Sequence, residues 1–107
     1  MSIKQLTAIE LKQRLDANDT LLLLDVREPN EFNYANIAGS TLLPLNQLPA
    51  RLDELDKNLA IVAICHHGMR SMQAANFLVH SGFTDISNLQ GGIDAWSRDC
   101  DSGVKRY

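Results

Sequence analysis

Ile61-Val62-Ala63-Ile64-Cys65-His66-His67-Gly68-Met69-Arg70-Ser71 is the stretch that decides how this chain reads. With Leu59 and Ala60 before it, its first half is a continuous apolar run, the pattern of a short strand buried on both faces. After Cys65 the chain turns through two histidines and a glycine. Apolar residues then recur at helical spacing, and Ala74, Ala75, Phe77 and Leu78 predict a core-facing helix from Arg70 or Ser71 to Val79. His80-Ser81-Gly82 closes it, with Gly82 in the left-handed position past the helix end. Strand, tight loop and helix in succession put Cys65 at the carboxyl end of a strand, where sites lie in open parallel sheets.

Working outward, the same alternation continues on both sides. Thr7-Ala8-Ile9-Glu10 is a capping box, opening a helix whose buried face carries Ile9, Leu11 and Leu15 and which ends near Asn18. Leu21–Val26 is a second apolar run, containing Asp25. Glu28-Pro29 starts a short helix, because proline suits the first helical position. Ala38-Gly39-Ser40 reads as a turn, Thr41–Leu43 as a short strand stopped by Pro44, and Leu48, Leu52 and Leu55 as another helical stripe. Ile86–Leu89 is a last strand. Gln90-Gly91-Gly92 is a turn, and Ile93–Ser97 a short helix with Trp96. These elements predict an α/β domain with a mostly parallel central sheet of about five strands and helices on both faces. One domain spans 1–107, with a core over about 6–97 and a polar, loosely ordered tail over 98–107.

Composition sets the outer limits. With 45% apolar residues in 107, a core can form without disulfides or metals to staple it. A net charge of −3 and scattered basic residues give no positive field for nucleic acid. No apolar run approaches a membrane span, and Lys105 with Arg106 is too little charge for a membrane anchor. Met1 to Leu6 carries no apolar run of the signal-peptide kind. The expectation is a cytoplasmic chain in which two cysteines, Cys65 and Cys100, do not form a disulfide scaffold.

The loop residues suit anion chemistry. A reactive cysteine works as its thiolate. Successive backbone N–H groups of a tight loop can converge on one point, and the positive end of the following helix adds to that field. Gly68 supplies unusual backbone angles, and Arg70 adds a permanent cation with a rigid fork of donors. Together they favour a sulfur anion at Cys65, cradled by His66, His67, Gly68, Met69 and Arg70. Taken alone, Cys65 would read as a small buried hydrophobe; glycine at +3 and arginine at +5 tip it toward chemistry. His66 and His67 are metal-ligand types, but adjacent ligands rarely wrap one tetrahedral ion and no spaced partner pair accompanies them, so no metal is expected. Their backbone amides join the cradle and their rings point outward; a protonated ring would help attract an anionic donor. Phe83 and Trp96 are core candidates.

These segments resemble the rhodanese homology domain, from about Leu6 to Trp96. The resemblance rests on four pieces in order: Leu23-Leu24-Asp25-Val26-Arg27-Glu28 with Glu31-Phe32; Asn36-Ile37-Ala38-Gly39-Ser40 with Leu43-Pro44; Cys65-x-x-Gly68-x-Arg70-Ser71; and Leu89-Gln90-Gly91-Gly92-Ile93 with Trp96. Asn36 stands where the family usually has His, Ser40 where it usually has Ala, and His66 where a basic or polar residue is common. The resemblance implies a sulfurtransferase in which Cys65 takes sulfane sulfur from a small donor such as thiosulfate, holds it as a persulfide, and passes it to cyanide or a thiol. It implies no cofactor, and ping-pong kinetics. Asp25, Arg27 and Ser71 are implied as supports of the loop. A protein persulfide donor or acceptor is also compatible with it, as is a regulatory binding module. Phosphatases of related fold use Cys-x5-Arg; four residues between Cys65 and Arg70 make a smaller cradle, better suited to a sulfur atom. Cys100 reads as a bystander, with a resolving disulfide to Cys65 as the alternative.

Overall fold

The computed structural model describes residues 3–107; Met1 and Ser2, which begin the stretch read as free of a signal-like run, lie outside it. Strands β1 (Lys4–Leu6), β2 (Leu22–Asp25), β3 (Thr41–Leu42), β4 (Ile61–Ile64) and β5 (Ile86–Leu89) form one sheet in the order β1-β5-β4-β2-β3. Every pairing is parallel. β4 lies in the middle, and all four of its residues are buried, as its unbroken apolar sequence requires. Leu24 pairs with Ala63, Asp25 with Ile64, and Ala63 with Asn88, so the carboxyl ends of β2, β4 and β5 lie level.

Helices α1 (Ala8–Asp16) and α4 (Gly92–Asp99) cover one face, packing Leu11, Ile93 and Trp96 with Leu23, Val62 and Ile64. Helix α3 (Met69–His80) covers the other, packing Ala74, Ala75 and Leu78 with Leu24, Ile61 and Phe83. Each fully buried leucine or isoleucine contributes about 1.5–3 kcal/mol relative to exposure. Short helix α2 (Pro29–Tyr34) follows β2, and the Ala35 and Ile37 behind it join the α1–α4 side. β2 and β4 therefore send their following helices to opposite faces, which opens a crevice between their carboxyl ends.

The helix ends obey local chemistry. Thr7 Oγ1 accepts the Glu10 N–H at 3.1 Å, and Glu10 accepts the Thr7 N–H at 2.8 Å, the capping box predicted above. Past α3, the Phe83 N–H donates to Leu78 O at 3.0 Å and the Gly82 N–H to Val79 O at 3.2 Å, which is a Schellman closure. No helix among the described residues is long and apolar enough to cross a membrane.

Three segments differ from expectation. β1 was not legible: Lys4-Gln5-Leu6 has no strand pattern and exists by pairing onto β5. The Leu48, Leu52, Leu55 stripe is not an α-helix but two tight 3₁₀ turns, Leu45–Gln47 and Pro49–Glu54, the second kinked at Arg51. The tail is not loose. α4 runs on to Asp99, Ser97 Oγ bonds to Val104 O, and Arg106 and Tyr107 fold back toward the loop after β4.

Candidate active site

Cys65 leaves the end of β4 as a residue only 1% exposed. Its Sγ accepts the Gly68 N–H at 2.9 Å and lies 3.3 Å from Ser71 Oγ. Gly68 makes this turn at φ 107°, a left-handed angle that other residues rarely adopt. The first-turn N–H groups of α3, on Met69, Arg70 and Ser71, have no acceptor within their helix, and its dipole adds positive potential there. The opposite sides of two loop peptides are tied to α4: Cys65 O accepts the Ile93 N–H at 2.8 Å, and His66 O the Asp94 N–H at 3.2 Å. Gly92 makes this approach possible, since a Cβ there would lie 2.3 Å from His66 O and 2.4 Å from Cys65 O.

Cys65, His66, His67, Met69 and Arg70 line one recess of about 210 Å³, so the structure brings the predicted loop residues together. Arg70 is not aimed as expected. Its Nη1 and Nη2 grip the two Glu31 oxygens at 2.6 and 2.9 Å, across the crevice from α2. Those hydrogen bonds, despite partial burial, hold the Glu31 carboxyl down to about 2 from its ordinary 4.5, with help from the Glu28 N–H and Tyr107. The same pairing pushes Arg70 upward. The field of Arg70 still reaches Cys65, but its fork is positioned by Glu31.

His67 points outward as expected, its side chain 62% exposed. His66 does not. Its ring stacks on Tyr107, with centroids 3.9 Å apart and planes at 6°, and its Nε2 is buried with no hydrogen-bond partner among the described residues. Asp94 comes within 3.9 Å of His67 Nε2, so one ligand atom from each of His66, His67 and Asp94 lies within 4.8 Å of the others. Arg106 holds both oxygens of that carboxylate, at 2.9 and 3.2 Å, and a cation would have to displace it.

Asp25 and Arg27 form a fully buried pair, with Arg27 Nη2 to Asp25 Oδ2 at 2.6 Å and Nε to Oδ1 at 2.8 Å. Arg27 also donates to Ala35 O at 2.7 Å and to the Tyr107 hydroxyl at 2.8 Å. That hydroxyl donates to Glu31 Oε2 at 2.8 Å. The support thus reaches the loop indirectly, through Tyr107 and Glu31 to Arg70. Ser71 touches the sulfur itself and bonds to Asn88 Oδ1. Asn36, at the position where His is usual, donates to Phe32 O at 2.9 Å behind α2.

Tyr107, Asn88, Asp94 and Glu31 had no site role in the sequence reading, although Glu31 stood in one of the family segments. Asn88 left a signal, being polar within a strand buried throughout. Tyr107 left none beyond being aromatic in a polar tail. Cys100 sits with Leu15 and Val104 on the α1–α4 side, whereas Cys65 belongs to the cluster under α3. Burial, followed by the nearby Asp99, pushes the Cys100 thiol up, which disfavours its thiolate.

The site is thus a buried cysteine at the carboxyl end of a central parallel strand, in a loop backed by a helix N-terminus and an arginine. The model of the rhodanese-like domain matches residues 7–99, and the chain belongs to that family. A sulfurtransferase of Allochromatium vinosum is 35% identical over 90% of this chain and 90% of its own. The thiosulfate sulfurtransferase GlpE of Pseudoalteromonas translucida is 31% identical over 99% of this chain and all of its own. The crystal structure of a rhodanese-like domain protein from Staphylococcus aureus superposes with a TM-score of 0.85 at 30% identity, covering 98% of this chain and 99% of that one.

Proposed function

We propose that this protein is a sulfurtransferase that carries sulfane sulfur as a persulfide on Cys65. The observation that carries this reading is that buried Cys65 lines the recess together with Arg70, its Sγ accepting the Gly68 N–H at 2.9 Å. In the first half-reaction the Cys65 thiolate attacks the outer sulfur of thiosulfate. An S–S bond forms on Sγ as the donor's S–S bond breaks, and the electron pair leaves with sulfite. The outer sulfur of the persulfide then extends into the recess, where the loop amides and the field of Arg70 favour its charge. In the second half-reaction an acceptor nucleophile, cyanide or a thiol, takes that sulfur and returns the Cys65 thiolate.

A protein acceptor is the second reading, favoured by the rim. Met69, on the lining of the recess, is 79% exposed; next to it Tyr107, stacked on His66, packs edge-to-face on Tyr34, itself 51% exposed and lining a neighbouring recess with Asn30 and Glu31. Exposed apolar groups gathered at a site mouth are the mark of a docking partner more than of a small anion.

Intact mass after incubation with thiosulfate tests the core of the proposal. The expected result is a gain of one sulfur on wild type, removed by cyanide and absent from Cys65→Ser. Retention of the gain by Cys65→Ser overturns the assignment of the sulfur to Cys65. Loading that is discharged faster by a protein thiol than by small acceptors selects the second reading.

A further inference from the structure

The sulfur of Cys65 is the end of a hydrogen-bond relay whose polarity is set at the protein surface. Met72 Sδ carries no proton, so in its 3.1 Å contact with Gln5 Nε2 it accepts. That orients the Gln5 amide and leaves its Oε1 to accept from Asn88 Nδ2 at 3.0 Å. Asn88 in turn presents Oδ1 to Ser71 Oγ, and an amide oxygen has no proton, so Ser71 alone can supply the one in that bond. Ser71 has one hydroxyl proton, and it is committed to Asn88. What remains to face Cys65 Sγ, 3.3 Å away, is a lone pair. Ser71 is fully buried and Asn88 is 3% exposed, so neither has ready access to water as a replacement.

We propose that Asn88 is a positioning residue that governs where charge can sit on the Cys65 sulfur, because its carbonyl holds the Ser71 proton away from Sγ. This rests on the reading of Cys65 as the sulfur-carrying residue. A neutral thiol suits the arrangement, since its S–H donates to Ser71. A charge on Sγ keeps the Gly68 N–H but meets the Ser71 lone pair, which opposes it. Relief would require Ser71 to turn its O–H to the sulfur and leave the buried Asn88 carbonyl without a donor. In the persulfide the charge sits on the outer sulfur and Sγ is uncharged, so the Ser71–Asn88 bond is kept. The relay therefore opposes charge on Sγ and favours charge one atom further out, where an acceptor can reach it. It disfavours the bare thiolate and leaves the outer-sulfur charge of the persulfide unopposed.

Cys65 alkylation, read by peptide mass over a range of pH, tests this without any sulfur donor. The charged and titratable groups around the sulfur are His66, His67 and Arg70 in the recess, Tyr107 stacked on His66, Glu31 beyond Arg70, Asp94 behind the loop, and the Asp25–Arg27 pair at the end of β2. All of them are retained in the variants. Asn88→Leu removes the acceptor and frees the Ser71 proton for Sγ. Its Cys65 should alkylate about tenfold faster at neutral pH, the size of one charge-assisted hydrogen bond, with the pH profile displaced to lower pH. The acceleration should vanish in a Ser71→Ala background. Gln5→Leu, at the exposed end, releases the amide orientation and should accelerate alkylation in the same direction, which covers the case of an Asn88→Leu chain that does not fold. No acceleration in either folded single variant, or equal acceleration with Ser71 absent, overturns the relay. Failure of thiosulfate loading in wild type instead sinks the sulfurtransferase reading and leaves the alkylation result standing.

Discussion

Arg70 sits on the wall of the recess, yet both ends of its guanidinium are bound by Glu31. A carboxylate that holds an arginine in this way fixes the direction of its remaining N–H groups and keeps the cation at the recess that Cys65 lines. The anion gains a field that needs no rearrangement when charge develops. Arg70→Ala should slow thiosulfate loading of Cys65 by about 10- to 100-fold, the worth of a charge-assisted interaction of about 1.5–3 kcal/mol. Arg70→Lys restores the charge but not the two-point grip, and should stay well below wild type. A time course of intact mass measures both. An unchanged loading rate in Arg70→Ala would make the residue a structural tie between α2 and α3.

At the scale of elements, the site is a loop held from three directions: β4 delivers it, α3 supplies its amides, and the start of α4 binds two of its carbonyls. Gly92 is where this is most easily broken. An alanine there would drive a Cβ to 2.3 Å from backbone, at a φ of 62° that also disfavours a side chain. Backbone cannot swing away as a flexible side chain does, so Gly92→Ala should cost about 3 kcal/mol or more and displace Cys65. Urea unfolding and the rate of Cys65 alkylation should change together; a stability loss with unaltered alkylation would mean that α4 does not position the loop. The sequence made β2, β4, α1 and α3 legible, because Leu21–Val26 and Leu59–Ile64 are unbroken apolar runs and Thr7, Glu10 and Gly82 mark helix ends by local chemistry. It also placed Cys65, Gly68 and Arg70 in one loop. What it could not give depended on partners distant in the chain. β1 exists by pairing with β5, Asn88 reaches Ser71 only once β5 lies beside β4, and the Arg70 fork turns to a carboxylate 39 residues away.

Across the whole molecule, the two ends of the chain support the site made in its middle. Gln5 closes the relay behind the sulfur, while Tyr107 joins Arg27, Glu31 and His66 in front of it. Glu31 is the common point of the front assembly, and its carboxyl, held at about 2 against an ordinary 4.5, ties the site to stability. A carboxyl whose folded value lies below its unfolded value contributes fully above the unfolded value, and the contribution fades as pH falls toward the folded one. Glu31 should therefore stabilise the fold at neutral pH and lose that effect between about pH 5 and 2. Because the pair is partly solvated, a contribution of about 1–2 kcal/mol is expected at neutral pH, less than the full shift implies. Urea unfolding of wild type and Glu31→Gln should show that gap at neutral pH, and the gap should narrow steadily on acidification. A gap of constant size from neutral pH to pH 3 would show that the loss comes from packing, and that the charge on Glu31 does not couple the chain ends to the Cys65 loop.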